Sequence, residues 1–408
     1  MSTVDMTKRK VIKDAIIKRL DEHEGCFGGV NVPLLKISNT YPGLWMEHIY
    51  DSVFYATLNK DKLYLAENAI LSFIERQTPE GQLPYIIKDA IVPSEEVGYD
   101  QVQECVSFGS LALMVYRMNG NKEFLKVVYP ALIKWVGWLK KYRMTRGTGL
   151  IEMFCGFDTG HDNSARVLDL GSPRKITVGG EKMTASTPPE SDGISPVIAL
   201  DMSCNYYGNL RAIEQISLIM GYPCEEFAHD AQNVKKKIFE LLYDGEDGFF
   251  YDLDIKGNKR KILSCSVLHL FIEGVLDPNE DKKIIDTLTK KYIFNEKHFM
   301  TPYPFPAVSV SDPSWKKHTP SNCWGYFTQS LTVLRTTLWM ERYGFNKEFD
   351  HMCKRFLGAW ENCYGELKFG QELDPITGKP SECSEWYSSC MLMCLYCILK
   401  EESETKSV

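Results

Sequence analysis

Apolar residues recur every three to four positions over most of the chain, the spacing that places them on one face of an α-helix. This pattern predicts about twelve helices and only two short strands, at 249–251 and 308–310. Asn121 and Asp61 each precede a predicted helix and are expected to cap it. The predicted helices begin near Lys8, Glu47, Lys62, Gln101, Asn121, Asp201, Glu225, Leu263, Asn279, Cys323, Asn346 and Ser384.

The predicted helices come in pairs, and a similar connector follows the second helix of most pairs. Each copy has a turn, then an apolar or aromatic residue and a polar stretch. Such a repeat indicates an array of helical pairs, either an open solenoid or a closed ring. A ring of six inner and six outer helices buries every inner helix and places the connectors on one rim. The connectors begin at Arg76, Lys141, Leu241, Lys290 and Glu361.

Residues 167–198 interrupt this rhythm with a long stretch rich in Gly, Pro, Ser and Thr. Such a stretch is typical of a linker between domains or of a lid over a site. Because the helical pairs resume unchanged after it, we expect a lid within a single domain spanning 1–408. Its Arg174, Lys175 and Lys182 are suited to meet an acidic ligand group, although a solvated surface loop is the plainer interpretation.

The charge of the chain excludes some partners. Its 408 residues carry a net charge of −7 without a basic block, so neither nucleic acid nor an anionic membrane is an expected partner. The N-terminus lacks an apolar signal segment, and no apolar run reaches membrane-spanning length. The 13 cysteines show no disulfide spacing, and Cys390, Cys394 and Cys397 share one face of an apolar helix. We therefore expect buried, reduced thiols and a cytoplasmic protein.

The stretch FDTGHDNSAR, residues 157–166, holds more polar and ionisable side chains than its neighbours. It holds two carboxylates, an imidazole, an amide and a guanidinium around the hinge at Gly160. So many polar groups are not expected in a core helix or strand. The stretch directly follows the second connector, while FGQELDPITGKP follows the last one. In a closed ring these two polar stretches face each other across a central cleft.

Opposed carboxylates in a cleft suit glycoside cleavage, in which one protonates the leaving oxygen and the other activates water. Asp162 is one candidate, and Glu366, Glu372 and Asp374 in the last connector are candidates for the other. Tryptophans in or beside the connectors would stack on a sugar or plug the barrel mouth. These tryptophans are Trp45, Trp315, Trp324 and Trp386.

Several motifs resemble glycoside hydrolase family 63, which shares its clan with the family 37 trehalases. DTGHDNSAR is similar to the E-S-G-x-D-N-S-x-R signature of that family, although its first Glu is Asp158 here. LWMEHIYDSVFYA, RQTPEGQLPY, ELDPITGKP and SEWYSSCML resemble further family motifs in the same order. The resemblance runs from about Trp45 to Leu399. It implies an all-α fold, the (α/α)6 barrel or six-hairpin toroid, here with long rim loops.

The resemblance also implies an inverting hydrolase of a small α-linked glycoside, an α-glucoside or α-mannoside, with glycosyl-glycerates as one such class. Asp162 is then the general acid. Strict motif spacing puts Gln371 at the family's base position, and a slip of one residue makes Glu372 the base. The expected substrate-binding residues are Trp45, Asp51, Gln77, Tyr85, Asp158, Asn163, Arg166, Trp324, Gln371 and Trp386.

Two other functions stay open at this point. Gln371 in place of a carboxylate favours a catalytically inactive carbohydrate-binding barrel. A sugar 2-epimerase on the same barrel would need paired rim histidines, and the connectors offer His161 and His298. No cofactor and no metal site are expected, because no second ligand pair stands near His161 in the sequence. The expected partner is a small carbohydrate, and the sequence does not give the oligomeric state.

Overall fold

The computed structural model describes most of the chain, and the described part contains twelve α-helices, as predicted. The described residues are 3–41, 43–89, 96–167, 170, 177–178, 181–182, 196–315, 324–362, 369–381 and 385–406. The helices are α1 (Thr3–Glu22), α2 (Ile49–Leu58), α3 (Leu63–Glu75), α4 (Phe108–Asn119), α5 (Lys122–Tyr142), α6 (Leu200–Met220), α7 (Glu225–Lys237), α8 (His269–Ile272), α9 (Lys282–Leu288), α10 (Ser330–Arg335), α11 (Asn346–Asn362) and α12 (Ser388–Lys406).

Even-numbered helices form an inner ring and odd-numbered helices an outer layer. Helix α2 packs against α4, α4 against α6, α6 against α8 and α10 against α12, and α12 packs back on α2. Burial separates the two layers, since fifteen of the 21 residues of α6 are buried but only nine of the 21 in α5. An outer helix buries one stripe, whereas an inner helix is enclosed on most sides. The predicted closed ring, the (α/α)6 barrel, is therefore confirmed, and the open solenoid is excluded.

Helix ends agree with the sequence where a local cap decides them. The Asn121 side chain accepts from the backbone N–H groups of Glu123 and Phe124 and caps α5, as predicted. The cap predicted at Asp61 is wrong, because Asn59 instead accepts from the Asp61 N–H and begins a short 3-10 turn. Helices α4 and α10 both begin seven residues later than predicted. Residues 101–107 before α4 form a rim loop whose apolar spacing imitates a helix, and the described residues 324–329 before α10 end in β14.

Short strands in the connectors pair with one another on the rim. One four-stranded sheet joins β6, β9, β12 and β13, one three-stranded sheet joins β3, β4 and β5, and β14 pairs with β15. The strands are β1 (Glu24–Gly25), β2 (Leu34–Leu35), β3 (Gly43–Trp45), β4 (Ile86–Lys88), β5 (Val97–Gly98), β6 (Glu152–Met153), β7 (Thr177–Val178), β8 (Glu181–Lys182), β9 (Val197–Ile198), β10 (Tyr243–Asp244), β11 (Phe249–Phe250), β12 (Asp252–Leu253), β13 (Lys259–Arg260), β14 (Thr328–Gln329) and β15 (Glu372–Leu373).

Other expectations have mixed outcomes. The strand predicted at 249–251 is present as β11, but at 308–310 the described structure has only an isolated bridge between Val308 and Ser264. Cys390, Cys394 and Cys397 are buried in α12, as predicted. The expected lid at 167–198 lies largely outside the described residues. Among the helices described, none combines the length and apolar character that crossing a membrane requires.

Candidate active site

Five connectors on one rim of the barrel line a cavity of about 330 Å³. The described lining residues come from the α1–α2, α3–α4, α5–α6, α9–α10 and α11–α12 connectors, each of which leads into an inner helix. The ring therefore gathers side chains that are far apart in sequence. In particular, Asp162 of the second connector and Gln371 of the last connector line the same cavity.

Aromatic side chains form much of the cavity wall. Tyr41 and Trp45 meet edge to face with ring centroids 5.5 Å apart, and Trp324 stacks on His161 at 4.1 Å. Aromatic rings beside polar groups suit the faces and hydroxyls of a sugar. Two of the four connector tryptophans, Trp45 and Trp324, are in this wall. The aromatic lining residues are Tyr41, Trp45, Phe157, Trp324 and Tyr387.

Polar atoms in the cavity wall are placed to meet a ligand. The Oε1 atoms of Gln103 and Gln371 and the Nδ1 atom of His48 are buried and have no hydrogen-bond partner among the described residues. A buried polar atom without a partner costs free energy, and such atoms cluster where a ligand completes them. Sugar hydroxyls are suitable donors for the two amide oxygens, and Nδ1 of His48 lies 3.5 Å from Oε1 of Glu47.

The loop that carries Asp162 turns sharply on Gly160. Gly160 has φ +73°, and a Cβ there would collide with Oε2 of Glu47. Only glycine accepts both the left-handed backbone and this close approach. The next turn closes with the Ser164 N–H donating to the His161 carbonyl. This path leaves Asp162 partly exposed in the cavity, whereas His161 beside it is buried.

Two buried ion pairs anchor the loop on either side of Asp162. Asp158 is fully buried, pairs with the two terminal nitrogens of the Arg143 guanidinium and accepts from the Val102 N–H. Arg166 is 1% exposed and donates to both oxygens of Asp201 and both oxygens of Asp252. Asp158 and Arg166 were predicted to contact substrate, but the structure places both in the scaffold beneath the cavity.

His161, Asp201 and His269 lie together below the cavity, with ligand atoms within 4.8 Å of one another. Within the described part of the chain this is the group whose spacing suits a metal ion. Burial lowers the pKa of His161 well below its usual value and that of His269 to about 3, so both rings are neutral. Arg166 already donates to both oxygens of Asp201, and its positive charge opposes a cation there. These residues therefore fit a charged scaffold better than a metal centre.

A second carboxylate, Glu47, lines the cavity from the α1–α2 connector. Its side chain is 12% exposed, and its Oε2 lies 3.7 Å from Sγ of Cys105. Burial raises the pKa of Glu47 to about 7, although the nearby Arg335 guanidinium favours the charged form. The neighbouring His48 bonds the Tyr387 hydroxyl through Nε2, and burial holds its pKa well below the usual value.

The last connector presents Gln371 to the cavity and not Glu372. Glu372 begins β15 opposite Gln329 of β14, and its Oε2 accepts a 2.6 Å hydrogen bond from Nε2 of Gln329. Gln371 directly precedes β15 and lines the cavity, whereas Glu372 is not among the described lining residues. The expected juxtaposition of Glu372 with Asp162 is therefore corrected.

The other two candidate carboxylates of this connector do not replace Glu372 in the described structure. Glu366 lies outside the described residues. Asp374 accepts from the N–H groups of Ile376 and Thr377 and so holds the turn that follows β15. The described part of the last connector therefore offers the cavity an amide, Gln371, and no carboxylate.

The remaining expected sugar contacts are not among the described lining residues. Asp51 is buried and accepts from the hydroxyls of Ser388 and Ser389, and burial raises its pKa to about 6. Gln77 donates to two carbonyl oxygens of its own connector and of α5. The other three are Tyr85, which is buried in the rim sheet, Asn163, which has φ 61°, and Trp386, which lies under the Arg19 guanidinium.

Sequence reasoning missed much of the lining of the α1–α2 and α3–α4 connectors. Gln101 and Gln103 fall in a predicted helix, and Glu47 and His48 lie in the family-like segment LWMEHIYDSVFYA without a role assigned to them. The signal available for Glu47 was its position two residues after Trp45, in a segment that also resembles the family. The lining residues missed are Ile37, Tyr41, Glu47, His48, Gln101, Gln103 and Tyr387.

Solved structures share this barrel. A mannosylglycerate hydrolase from Thermus thermophilus, crystallised with Tris, superimposes with a TM-score of 0.74 at 15% identity, covering 94% of this chain and 99% of that one. The same enzyme was also crystallised with glucose and with D-glycerate. A neutral trehalase from Saccharomyces cerevisiae gives a TM-score of 0.64 at 13% identity, covering 90% of this chain and 73% of that one. At these identities the likeness establishes the fold.

Sequence comparison adds a relative and a family. An uncharacterized protein of Borreliella burgdorferi is 24% identical over 261 residues, which cover 62% of this chain and 47% of the relative. The match thus spans about half the length of that curated relative. The model of the mannosylglycerate hydrolase MGH1-like glycoside hydrolase domain matches residues 50–388, well over half of the chain. The chain therefore belongs to the MGH1-like glycoside hydrolase family.

Proposed function

We propose that the protein is an inverting glycoside hydrolase that cleaves a small α-linked glycoside, with Asp162 as the general acid. The observation that carries this proposal is the placement of Asp162 in an aromatic-walled cavity beside buried acceptors that lack partners among the described residues. Asp162 also occupies the family's acid position in the D-N-S-x-R motif. A protonated carboxyl there donates to the glycosidic oxygen as the bond breaks.

The size and lining of the cavity support a small substrate. About 330 Å³ is near the lower end of the range for small-molecule sites, which suits one sugar ring with a short aglycone. Since the Thermus enzyme was crystallised with glucose and with D-glycerate, α-glucosyl- and α-mannosyl-glycerate are the first substrates to test. Among the described residues ten cysteines carry thiols outside any disulfide, which supports a reducing compartment, the cytoplasm, as the place of action.

Sugar release from a defined panel tests this function. The panel contains α-glucosyl-glycerate, α-mannosyl-glycerate, trehalose and the 4-nitrophenyl α-glucoside and α-mannoside. We expect release from at least one α-linked compound and none from the matching β-glucoside. Proton NMR of the first product should show the inverted anomer. No release from any α-linked compound by folded protein would contradict the proposal.

The side chain of Gln371 favours a second candidate, a barrel that binds carbohydrate without cleaving it. An amide at the family's base position cannot take a proton from water at neutral pH. This candidate expects calorimetric binding of glucose or glycosyl-glycerate with no release of sugar. The 2-epimerase alternative has less support, because neither His161 nor His298 belongs to the described lining of the cavity.

A further inference from the structure

We propose that Glu47 is the general base of this site and takes the proton of the attacking water. This inference rests on the proposed hydrolase function and assigns the role that Gln371 cannot fill. Among the described residues that line the cavity, the carboxylates are Asp162 and Glu47. The two come from different connectors and are not neighbours in sequence, so the closed ring is what brings them together.

The proton balance of the reaction requires such a group. Water attacks the anomeric carbon, the bond to the leaving oxygen breaks, and Asp162 gives its proton to that oxygen. The attacking water must lose a proton, which Glu47 accepts, and solvent then restores both carboxyls. Without an acceptor in the cavity, water would have to attack as a poor neutral nucleophile.

The other polar lining groups are unsuitable proton acceptors. Gln371 and Gln103 are amides, which do not take a proton at neutral pH. His48 is engaged at Nε2 by the Tyr387 hydroxyl, and burial beside the Arg335 guanidinium lowers its pKa and makes its ring a weak base. Glu372 accepts a hydrogen bond from Gln329 and is not among the described lining residues. Glu47 is thus the remaining acceptor in the described lining.

Local structure holds the Glu47 carboxylate in place. Strand β3 ends at Trp45, and a 3-10 turn over Met46–His48 places Glu47 on the cavity wall. The Met46 N–H donates to the Tyr85 carbonyl, and Arg335 donates to the carbonyl of Glu47 itself. The backbone on both sides of the carboxylate is therefore fixed from neighbouring elements.

The glycine in the acid loop lets Glu47 pack against that loop. A Cβ at Gly160 would overlap Oε2 of Glu47, so the absence of a side chain there opens space for the carboxylate. Gly160 is two residues before Asp162. The Glu47 carboxylate therefore lies against the loop that carries the acid, at the wall of the same cavity.

The ionisation of Glu47 fits a base that works near neutral pH. Burial raises its pKa to about 7, so the carboxylate form grows as pH rises through about 7. A base must be ionised to act, hence kcat/KM on an α-glycosyl fluoride, which needs no general acid, should fall about tenfold per pH unit below about 7. The titratable and charged groups that face Glu47 are His48, Asp51, Cys105, Asp162 and Arg335.

Glycosyl fluorides distinguish the role of Asp162 as acid from the role of Glu47 as base. Fluoride leaves with little protonation, so an α-glycosyl fluoride bypasses the acid but still needs the base. On this substrate, Asp162→Asn should keep most of its activity, whereas Glu47→Gln should lose about 10²–10⁴-fold. Glu47→Gln should also lose the acidic limb of the pH profile, and Glu47→Asp should keep a limb at reduced rate.

Azide provides a positive signal for the same role. In Glu47→Ala, azide can enter the vacated space and attack the anomeric carbon without a proton to lose. We expect a β-glycosyl azide from the α-glycosyl fluoride. The matched control, Gln371→Ala, opens space in the same cavity but should yield no azide product above the wild-type level.

Three outcomes would overturn the inference, and wild-type activity separates them from a failure of the hydrolase function. Wild-type protein must first hydrolyse a member of the panel, or the proposed function fails and the inference with it. Given that activity, unchanged kcat/KM and an unchanged pH limb in folded Glu47→Gln would exclude Glu47 as the base. A retained anomer in the wild-type product, or azide rescue in Gln371→Ala alone, would exclude it as well. Circular dichroism and thermal unfolding establish that each variant is folded.

Discussion

Asp162 and Asp158 lie four residues apart in one loop but meet opposite surroundings. Asp158 is fully buried, pairs with Arg143 and accepts from the backbone N–H groups of Val102, Phe154 and Cys155. Asp162 faces a cavity walled by aromatic rings. The hydrogen bonds of Asp158 fix the loop, whereas the position of Asp162 exposes a carboxyl to a ligand.

The difference shows that one short motif can hold both a residue that faces the ligand and the residues that fix it in place. A carboxylate with an ion pair and several N–H donors is held in one position and leaves no oxygen directed at a ligand. A carboxyl at a cavity wall can exchange protons with substrate and solvent. Arg166 belongs with Asp158 in this division, since Asp201 and Asp252 enclose it. The loop is thus clamped at both ends and chemically active between them.

The largest expected effect is on turnover in Asp162→Asn. An amide cannot donate the proton that the leaving oxygen needs, so kcat on a glycosyl-glycerate or 4-nitrophenyl glycoside should fall about 10²–10⁴-fold. Steady-state kinetics with the best panel substrate measures this loss. The melting temperature should stay near that of the wild type, because the anchoring pairs of Asp158 and Arg166 are kept. Near-normal turnover in a folded variant would remove Asp162 from the mechanism.

Arg166→Met is expected to lower the stability of the fold strongly, just as Asp162→Asn is expected to lower turnover strongly. It leaves Asp201 and Asp252 buried without their cation, which is expected to lower the free energy of unfolding by about 3–5 kcal/mol. Urea unfolding measures the loss. The control is Arg117→Met on the exposed face of α4, where we expect a change within about 0.5 kcal/mol. Equal stability of the two variants would show that Arg166 is not a scaffold residue.

Much of the fold could be predicted because it depends on periodic burial. The inner and outer helices differ in how many of their faces are apolar, and the spacing of apolar residues in the sequence shows that difference. The predicted starts of α4 and α10 were seven residues too early, because apolar residues recur at helical intervals before each helix. The true start of α4 lies beyond Gln101 and Gln103, whose polar side chains turn to the cavity.

The site was harder to predict because contacts across the ring decide which polar residue faces the cavity. Asp158 and Arg166 sit in the same motif as Asp162, and only their distant ion-pair partners assign them to the scaffold. The one-residue choice between Gln371 and Glu372 depends on the pairing of β14 with β15, in which Glu372 lies opposite Gln329 of a distant connector. Glu47 lies in a segment that resembles the family but has no motif position of its own, and ring closure brings it to the cavity.

A smaller effect is expected in Gln371→Ala. Its buried Oε1 has no partner among the described residues and is placed to accept a sugar hydroxyl. Loss of one such hydrogen bond is worth about 0.5–1.5 kcal/mol, so KM should rise about two- to tenfold with kcat little changed. Steady-state kinetics separates the two constants. A large fall in kcat at unchanged KM would instead place Gln371 in the transition state.

The smallest effect on turnover is expected in Glu372→Gln, the variant that distinguishes the two neighbouring residues most sharply. Glu372 lies outside the described cavity lining and bonds Gln329 across the β14–β15 pair, so we expect it to support the connector and not to contact substrate. A glutamine keeps the size and can still bond the Gln329 amide, so kcat/KM should stay within about threefold and the unfolding free energy should fall by about 1 kcal/mol. Kinetics and urea unfolding on one preparation measure both. If Glu372→Gln instead loses turnover as completely as Asp162→Asn while staying folded, β15 must turn Glu372 into the cavity, and the base assigned to Glu47 would pass to Glu372.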